Sequence, residues 1–229
     1  MATPRPDTST PEGLERSHVA DVYNLIADHF SDTRYKPWPV VDDFLRELPP
    51  GSVGADVGCG NGKYLQVNPA LHMMGSDRSS KLIDICRDRG FEALVCDNLA
   101  LPYRDSSFDF AISIAVIHHF STPCRRKNAI QELIRILRPG GRVLIFVWAL
   151  EQKRKYPSAS GEPTPDAQKP TETAVYVRPD GEADVVYQRY YHMFVKGELD
   201  ALVGQVPGAA IVQTGYDRDN WYVVAEKRE

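Results

Sequence analysis

The sequence predicts an α/β fold, a mostly parallel sheet with helices on both faces, and three observations carry that expectation. Between Val40 and Trp148, apolar runs of strand length alternate with segments of helical spacing, the pattern of repeated strand–helix–strand units. A glycine-rich turn, Gly58 to Gly62, follows the first strand-like run. Near the end, Ala209–Thr214 and Trp221–Ala225 flank polar residues and read as an antiparallel hairpin closing the sheet edge.

Residues 1–11 are polar and Pro/Thr-rich and read as a disordered start to a single domain spanning 12–229. From Glu12 to Phe30, Val19, Val22, Ile26 and Phe30 recur at helical spacing and predict an amphipathic helix packed on the core. A loop from Asp32 to Pro39 precedes a helix from Val40 to Leu48. Strands are expected at Ser52–Val57, Met73–Ser76, Ala93–Cys96, Phe108–Ile114 and Arg142–Trp148. Helices are expected after Gly62, around Leu82–Arg89 and at Lys127–Leu137. Between Glu151 and Asp184 the apolar periodicity collapses among five prolines, which reads as a long mobile insertion. Order returns at Val185–Phe194, followed by a helix-like Lys196–Val203.

The formal net charge of −4 gives no global basic signature, so a nucleic-acid partner would have to meet a local patch. No apolar run approaches the roughly 18 residues that span a bilayer, and no membrane partner is expected. The four cysteines are scattered without a CxxC pair, which favours reduced thiols over a zinc site, and no metal is assigned. The expected compartment is the cytoplasm, with the nucleus in addition.

The run Ala55-Asp56-Val57-Gly58-Cys59-Gly60-Asn61-Gly62 ends a strand and lets a ligand approach the backbone closely. A dinucleotide fingerprint starting at Gly58 would want glycine where Lys63 stands. A P-loop is excluded by Val57 at its first glycine and Tyr64 at its Ser/Thr. Asp77, 19 residues after Gly58, ends the second strand, where it could accept both ribose hydroxyls of a nucleoside or cap the next helix. Asp97, Asn98 and Leu99 end the third strand, where they could meet an adenine edge or form a turn. Ligands in such sheets bind at the carboxyl ends of the strands, so Gly58, Asp77, Asp97 and His118 should share one crevice.

The Asp56-x-Gly58-x-Gly60-x-Gly62 turn, these stations, and the Pro-Gly-Gly turn before the fifth strand resemble the seven-stranded, Rossmann-like class I methyltransferases. The resemblance implies S-adenosylmethionine as cofactor, held by Asp56, Gly58, Gly60, Gly62, Asp77, Asp97, Asn98 and Leu99. More specific runs are His29–Pro39, Asp97–Tyr103, Ile114–Thr122 and Arg189–His192. They resemble the eukaryotic tRNA wobble-uridine methyltransferases that esterify 5-carboxymethyluridine, including the methyltransferase domain of the AlkB-homologue tRNA enzyme. The likeness covers about Val19 to Leu150 and resumes at Tyr187.

That chemistry implies an already ionised carboxylate nucleophile, which needs positioning rather than a strong base. Arg34, Lys36 and His118 are the expected catalytic positions, with Tyr35, Trp38 and His119 beside them for a flipped-out base. Arg125 and Arg126 suit a phosphate or a solvated face, and Trp148 suits a stacked base or the core. Arg189, Tyr190 and His192 are expected to close the pocket. The resemblance also implies tRNA and a small zinc-binding activator subunit as partners, the latter pairing with the edge strand Ala93–Cys96. Rival readings are a methyltransferase for a small carboxylic acid, a non-catalytic Rossmann-like binding module and an NAD-dependent oxidoreductase.

Overall fold

The computed structural model describes residues 7–33, 36–151, 172–176 and 185–229. An N-terminal helical arm opens it: α1 (Pro11–Glu15), one π-helical turn (Arg16–Ala20) and α2 (Asp21–Thr33). Thr10 caps α1 by accepting from the Gly13 N–H, and Pro11 takes the first turn, where a missing N–H costs nothing. Val22 and Ile26 are buried as the periodicity requires, whereas Val19 and Phe30 face a cavity described below.

After α3 (Pro39–Arg46) come β1 (Val53–Val57), β2 (His72–Asp77), α4 (Ser80–Asp88), β3 (Ala93–Val95), β4 (Phe108–Ile114), α5 (Pro123–Ile136) and β5 (Leu137–Trp148). The chain continues through β6 (Glu172–Tyr176), β7 (Val185–Arg189), α6 (Glu198–Gly204), β8 (Ala209–Asp217) and β9 (Asn220–Lys227). One seven-stranded sheet runs β3-β2-β1-β4-β5-β9-β8, parallel from β3 to β5 and antiparallel where β9 joins β5 and β8. The α/β expectation holds in its order and in its C-terminal hairpin.

Strand alternation builds two cores. Ala111, Val143, Ile145 and Val147 face α5 and α6, while Phe110, Ile112, Leu144 and Phe146 face α3. Both sets are buried, which is why β4 and β5 read as continuous apolar runs.

Two elements differ from expectation. No helix follows Gly62: positive φ at Gly60 (56°) and Gly62 (79°) breaks helical geometry, and three-residue closures replace it. Gly62, Leu65 and Val67 donate to the carbonyls of Cys59, Gly62 and Tyr64. Helix α5 starts four residues before Lys127, because Thr122 caps it by accepting from the Arg125 N–H and Pro123 occupies its first turn. The stretch read as a mobile insertion, 151–184, falls largely outside the described residues. Its described run, β6, pairs antiparallel with β7.

The β8–β9 hairpin closes through Arg218 and Asp219, both at positive φ (47° and 64°), the two-residue turn whose twist suits paired strands. Arginine is a poor residue for that conformation. Replacing it by glycine should raise stability by about 0.5–1 kcal/mol, measured as a higher urea midpoint with an unchanged slope.

Candidate active site

The turn after β1 is built around two carbonyl and carboxylate anchors. The N–H groups of Gly58 and Cys59 both donate to the Ser76 carbonyl at 2.7 and 2.9 Å, tying the turn to β2. One step on, the Gly60 N–H donates to Asp77 Oδ2 at 3.0 Å, while the Ser79 N–H donates to Asp77 Oδ1 at 2.9 Å. Burial pushes the Asp77 carboxyl up, more than those N–H groups and the Arg78 charge pull it down.

Strand β4 leaves the sheet through Ala115, held at φ 63° with its N–H donating to the Phe146 carbonyl at 2.9 Å. A non-glycine residue there carries about 1–2 kcal/mol of strain. The turn sets Val116 against Gly58, where a Cβ would lie 2.3 Å from Val116 Cγ2. It also starts the short 3-10 segment Ile117–His119.

These turns enclose a cavity of roughly 780 Å³, counted to its open mouth. Gly58, Gly60, Ala115 and Val116 line it from the strand ends, and Asp77, Arg78 and Asn98 line it from β2 and β3. The N-terminal arm contributes Glu15, Val19, Tyr23 and Phe30. His118, His119 and Trp148 complete the lining beyond β4 and β5. Asn98 Oδ1 is buried without a hydrogen-bond partner among the described residues, an acceptor presented to a ligand donor.

The two histidines hold opposite tautomers, assigned from their partners. The Trp148 backbone N–H donates to His118 Nδ1 at 3.2 Å, so the ring proton of His118 sits on Nε2. His119 Nδ1 donates to the Tyr190 carbonyl at 3.0 Å, so its Nε2 accepts from the Tyr23 hydroxyl, also at 3.0 Å. Tyr191 stacks on Trp148 with centroids 4.6 Å apart and planes 11° from parallel. Its ring also lies 5.2 Å from His118 and 4.8 Å from His119. The Arg189 guanidinium sits 5.2 Å over Tyr191 and 5.6 Å over Tyr23.

Residues 55–145 match the family described as "Methyltransferase domain". The chain is 50% identical over 227 residues to a Schizosaccharomyces pombe protein named tRNA (carboxymethyluridine(34)-5-O)-methyltransferase, covering 93% of this chain and 97% of that one. The chain belongs to that methyltransferase family. A Saccharomyces cerevisiae member is 41% identical, again with 93% and 97% coverage. A Xenopus tropicalis member, named alkbh8, is 46% identical over 93% of this chain, which spans 41% of its length. Among solved structures, a Burkholderia thailandensis 1,6-didemethyltoxoflavin-N1-methyltransferase with bound S-adenosylhomocysteine aligns with TM-score 0.66 at 17% identity, covering 96% of this chain and 91% of that one. A Haloferax volcanii putative methyltransferase in complex with the Trm112 methyltransferase activator gives 0.63 at 15%, with 93% and 99% coverage. At those identities the likeness shows the fold, that of S-adenosylmethionine-dependent methyltransferases.

In this methyltransferase the cavity gathers only part of the set expected from sequence. Gly58, Gly60, Asp77 and Asn98 line it; Asp56, Gly62, Asp97 and Leu99 do not. Gly62 is required by packing, since a Cβ would lie 2.6 Å from Phe91 Cδ2. Asp97 Oδ1 accepts from the Leu99 N–H, fixing the turn that presents Asn98, and Oδ2 lies 3.7 Å from Arg78. Leu99 is half-buried against the α5-side core. Asp56 is buried beneath the turn, its carboxyl pushed up to about 8 by burial and by Asp77, with Lys63 opposing.

On the substrate side, His118, His119 and Trp148 line the cavity, and Arg189 belongs to the ring cluster around them. The remaining described positions lie elsewhere. Arg125 donates Nε and Nη2 to Glu15 at 2.8 and 2.7 Å and pairs with Glu12, so it anchors the N-terminal arm. Arg126 is 3% exposed and donates to the Phe120 carbonyl, leaving a phosphate no access. Tyr190 is buried with its hydroxyl donating to the Ser121 carbonyl, and His192 pairs with Glu198 outside the cavity. Trp38 packs on Phe146 beside α3, with Lys63 over its ring, and Lys36 is exposed ahead of it. Arg34 and Tyr35 lie outside the described residues. Among those residues no group of three or more His, Cys, Asp or Glu could hold a metal ion.

Tyr191, Tyr23 and Glu15 were not selected from sequence. The first was within reach: Tyr190, His192 and Phe194 alternate in donating their N–H groups, so Arg189 and Tyr191 share the other side of an extended segment.

Gly58→Ala should lower stability by about 1–3 kcal/mol and weaken S-adenosylhomocysteine binding at least about tenfold, measured by thermal shift and calorimetry. Adding Val116→Ala removes the contact but not the φ strain, so recovery should be partial. Asp56 yields a pH prediction with a definite sign. Its folded pKa lies above the ordinary aspartate value, so the unfolded chain gives up this proton first and the group erodes stability as pH rises from about 4 towards 8. Asp56→Asn should therefore raise the melting temperature relative to the parent far more at pH 8.5 than at pH 5.

Proposed function

We propose that this protein transfers a methyl group from S-adenosylmethionine to the carboxylate of 5-carboxymethyluridine at the wobble position of tRNA, forming the methyl ester. The observation that carries this reading is the union, in one cavity, of the Gly58–Asp77 cradle with the His118–Trp148 wall. Identity of 50% and 41% over nearly the whole length of two yeast proteins named for this activity supports the substrate.

The residues present suit the cofactor. Asp77 keeps lone pairs for ribose hydroxyls after accepting two backbone N–H groups, and the orphaned Asn98 Oδ1 suits an adenine amino group. When bound, S-adenosylmethionine supplies an electrophilic methyl carried on a sulfonium.

The chain's own task is to hold the nucleophile. A carboxylate is ionised well below neutral pH, so no base has to remove a proton. With the cofactor bound, the carboxylate oxygen would take the methyl and lose its negative charge, the pair of the broken sulfur–methyl bond staying on a sulfur that becomes a neutral thioether. A bidentate guanidinium would grip both oxygens and stabilise the ground state more than the transition state. His118 meets the need differently: with Nδ1 committed to the Trp148 N–H, Nε2 offers one neutral donor, which fixes one oxygen and leaves the other free to attack. The Trp148–Tyr191 stack gives the uracil ring an aromatic face.

The third strand is an edge of the sheet, three residues long, with Val95 53% exposed. That edge suits strand pairing by a small zinc-binding activator subunit, and the Haloferax neighbour was solved with the Trm112 activator. No helix among the described residues is long and apolar enough to cross a membrane.

The test is transfer of labelled methyl to tRNA carrying 5-carboxymethyluridine, with and without such a subunit, beside unmodified tRNA and a small carboxylic acid. Alkali-labile label confined to the modified tRNA is expected; label on the small acid alone would overturn the RNA assignment. His118→Ala should lower kcat on the order of 10²-fold, and the rate should fall as pH drops through the substrate's carboxylate range near about pH 4.

A further inference from the structure

A polar cluster outside the cavity lies directly behind its aromatic wall. His192 Nε2 donates to Glu198 Oε1 at 2.5 Å, and Glu198 Oε2 accepts from the Val195 N–H at 3.2 Å. Arg126 Nη2 stands 4.0 Å from the same Oε1, while its Nη1 donates to the carbonyl of Phe120, which lines the cavity. The cluster thus ties the first residue of α6 to the returning chain and to α5.

Its position matters because of what His192 does with its backbone. The His192 N–H donates to the His118 carbonyl at 2.7 Å, and the preceding residue is Tyr191, stacked on Trp148. Two residues on, the Phe194 N–H donates to the Trp148 carbonyl at 2.9 Å. One short segment therefore grips both His118 and Trp148 through its backbone while placing Tyr191 between them. Tyr190 is held through its carbonyl and hydroxyl by His119 and Ser121, and Phe194 through its carbonyl by the Leu150 N–H, so between these two fixed points the side-chain anchor at His192 sets the pitch of the chain that carries Tyr191.

We propose that Glu198 and His192 are positioning residues for the substrate base, acting through Tyr191 and His118 rather than touching the substrate. The inference rests on the reading of this wall as the uridine site, and it adds the pair that holds the wall in register. Loss of the pair should loosen the Tyr191–Trp148 stack and the aim of His118 Nε2 while leaving the Gly58–Asp77 cradle, on the far side of β4, unchanged. A misplacement of about 1 Å at a reacting centre costs on the order of 10²-fold in rate.

The experiment compares Glu198→Ala, Glu198→Gln and His192→Ala with the parent. Three readouts are taken: calorimetric affinity for S-adenosylhomocysteine, kcat and KM on modified tRNA, and the near-ultraviolet circular dichroism of the Trp148–Tyr191 stack. In Glu198→Ala and His192→Ala, affinity should stay within about twofold, kcat/KM should fall at least about tenfold, and the dichroism should weaken. Glu198→Gln keeps an oxygen that accepts from His192 and should recover most of the activity. Parental kinetics in the alanine variants, or a loss of S-adenosylhomocysteine affinity as large as the loss of kcat/KM, would overturn the inference. If the parent itself methylates no modified tRNA, the functional reading fails, and the dichroism then decides the positioning role alone. An unchanged band in both alanine variants sinks it, and a lost band sustains it.

Discussion

The site depends on one backbone constraint, the left-handed turn at Ala115. Strand β4 runs through the middle of the sheet with both faces buried, so its exit fixes everything placed beyond it. The Phe146 carbonyl holds the Ala115 N–H, and the chain turns at a φ of 63° that alanine adopts only under strain. Val116 is thereby seated on Gly58, and the two histidines follow at once. Cofactor cradle and aromatic wall meet through Ala115 and Val116, and the strain at Ala115 is the kind that rigid surroundings maintain at functional sites.

Around that turn, polar anchoring fixes the N-terminal arm across the cavity. Glu15, 2% exposed, accepts from the Ser121 N–H and hydroxyl as well as from Arg125. Asn24 Oδ1 accepts from the Ser79 hydroxyl at 2.7 Å, and the Arg89 guanidinium donates to the Ser31 hydroxyl and the Asn61 carbonyl. A buried carboxylate such as Glu15 is stable only with its charge answered, which accounts for Arg125 turning inward rather than towards a phosphate. The same logic places Arg126 over Phe194. Cations that look available in sequence are consumed in holding the site together.

Most of the fold was legible because the two sheet faces keep β4 and β5 apolar throughout and because helical spacing marks α4 and α5. The helix expected after Gly62 failed where three glycines with positive φ outweighed apolar spacing. Of the cradle, Gly58, Asp77 and Asn98 were readable because a nucleoside needs a close backbone and strand-end acceptors. Asp56 and Gly62 match the motif for a different reason, the packing beneath the turn. The sequence points to Tyr190 where Tyr191 stacks, since adjacent tyrosines on extended chain differ only in the side they face. Glu15 carried no sequence signal at all: an acidic residue on a helix face is ordinarily solvated, and only the tertiary pairing reveals it.

In the proposed reaction a neutral donor at His118, framed by the Trp148–Tyr191 stack, holds a uridine carboxylate beside the Gly58–Asp77 cradle. That arrangement is tested most directly by a structure of the protein with S-adenosylhomocysteine and an anticodon-loop RNA carrying 5-carboxymethyluridine. The uracil ring is expected against the stack, with one carboxylate oxygen within hydrogen-bond distance of His118 Nε2 and the other turned towards the thioether sulfur. A carboxylate bound instead beside Trp38 and Lys63, with the stack facing solvent, would contradict it.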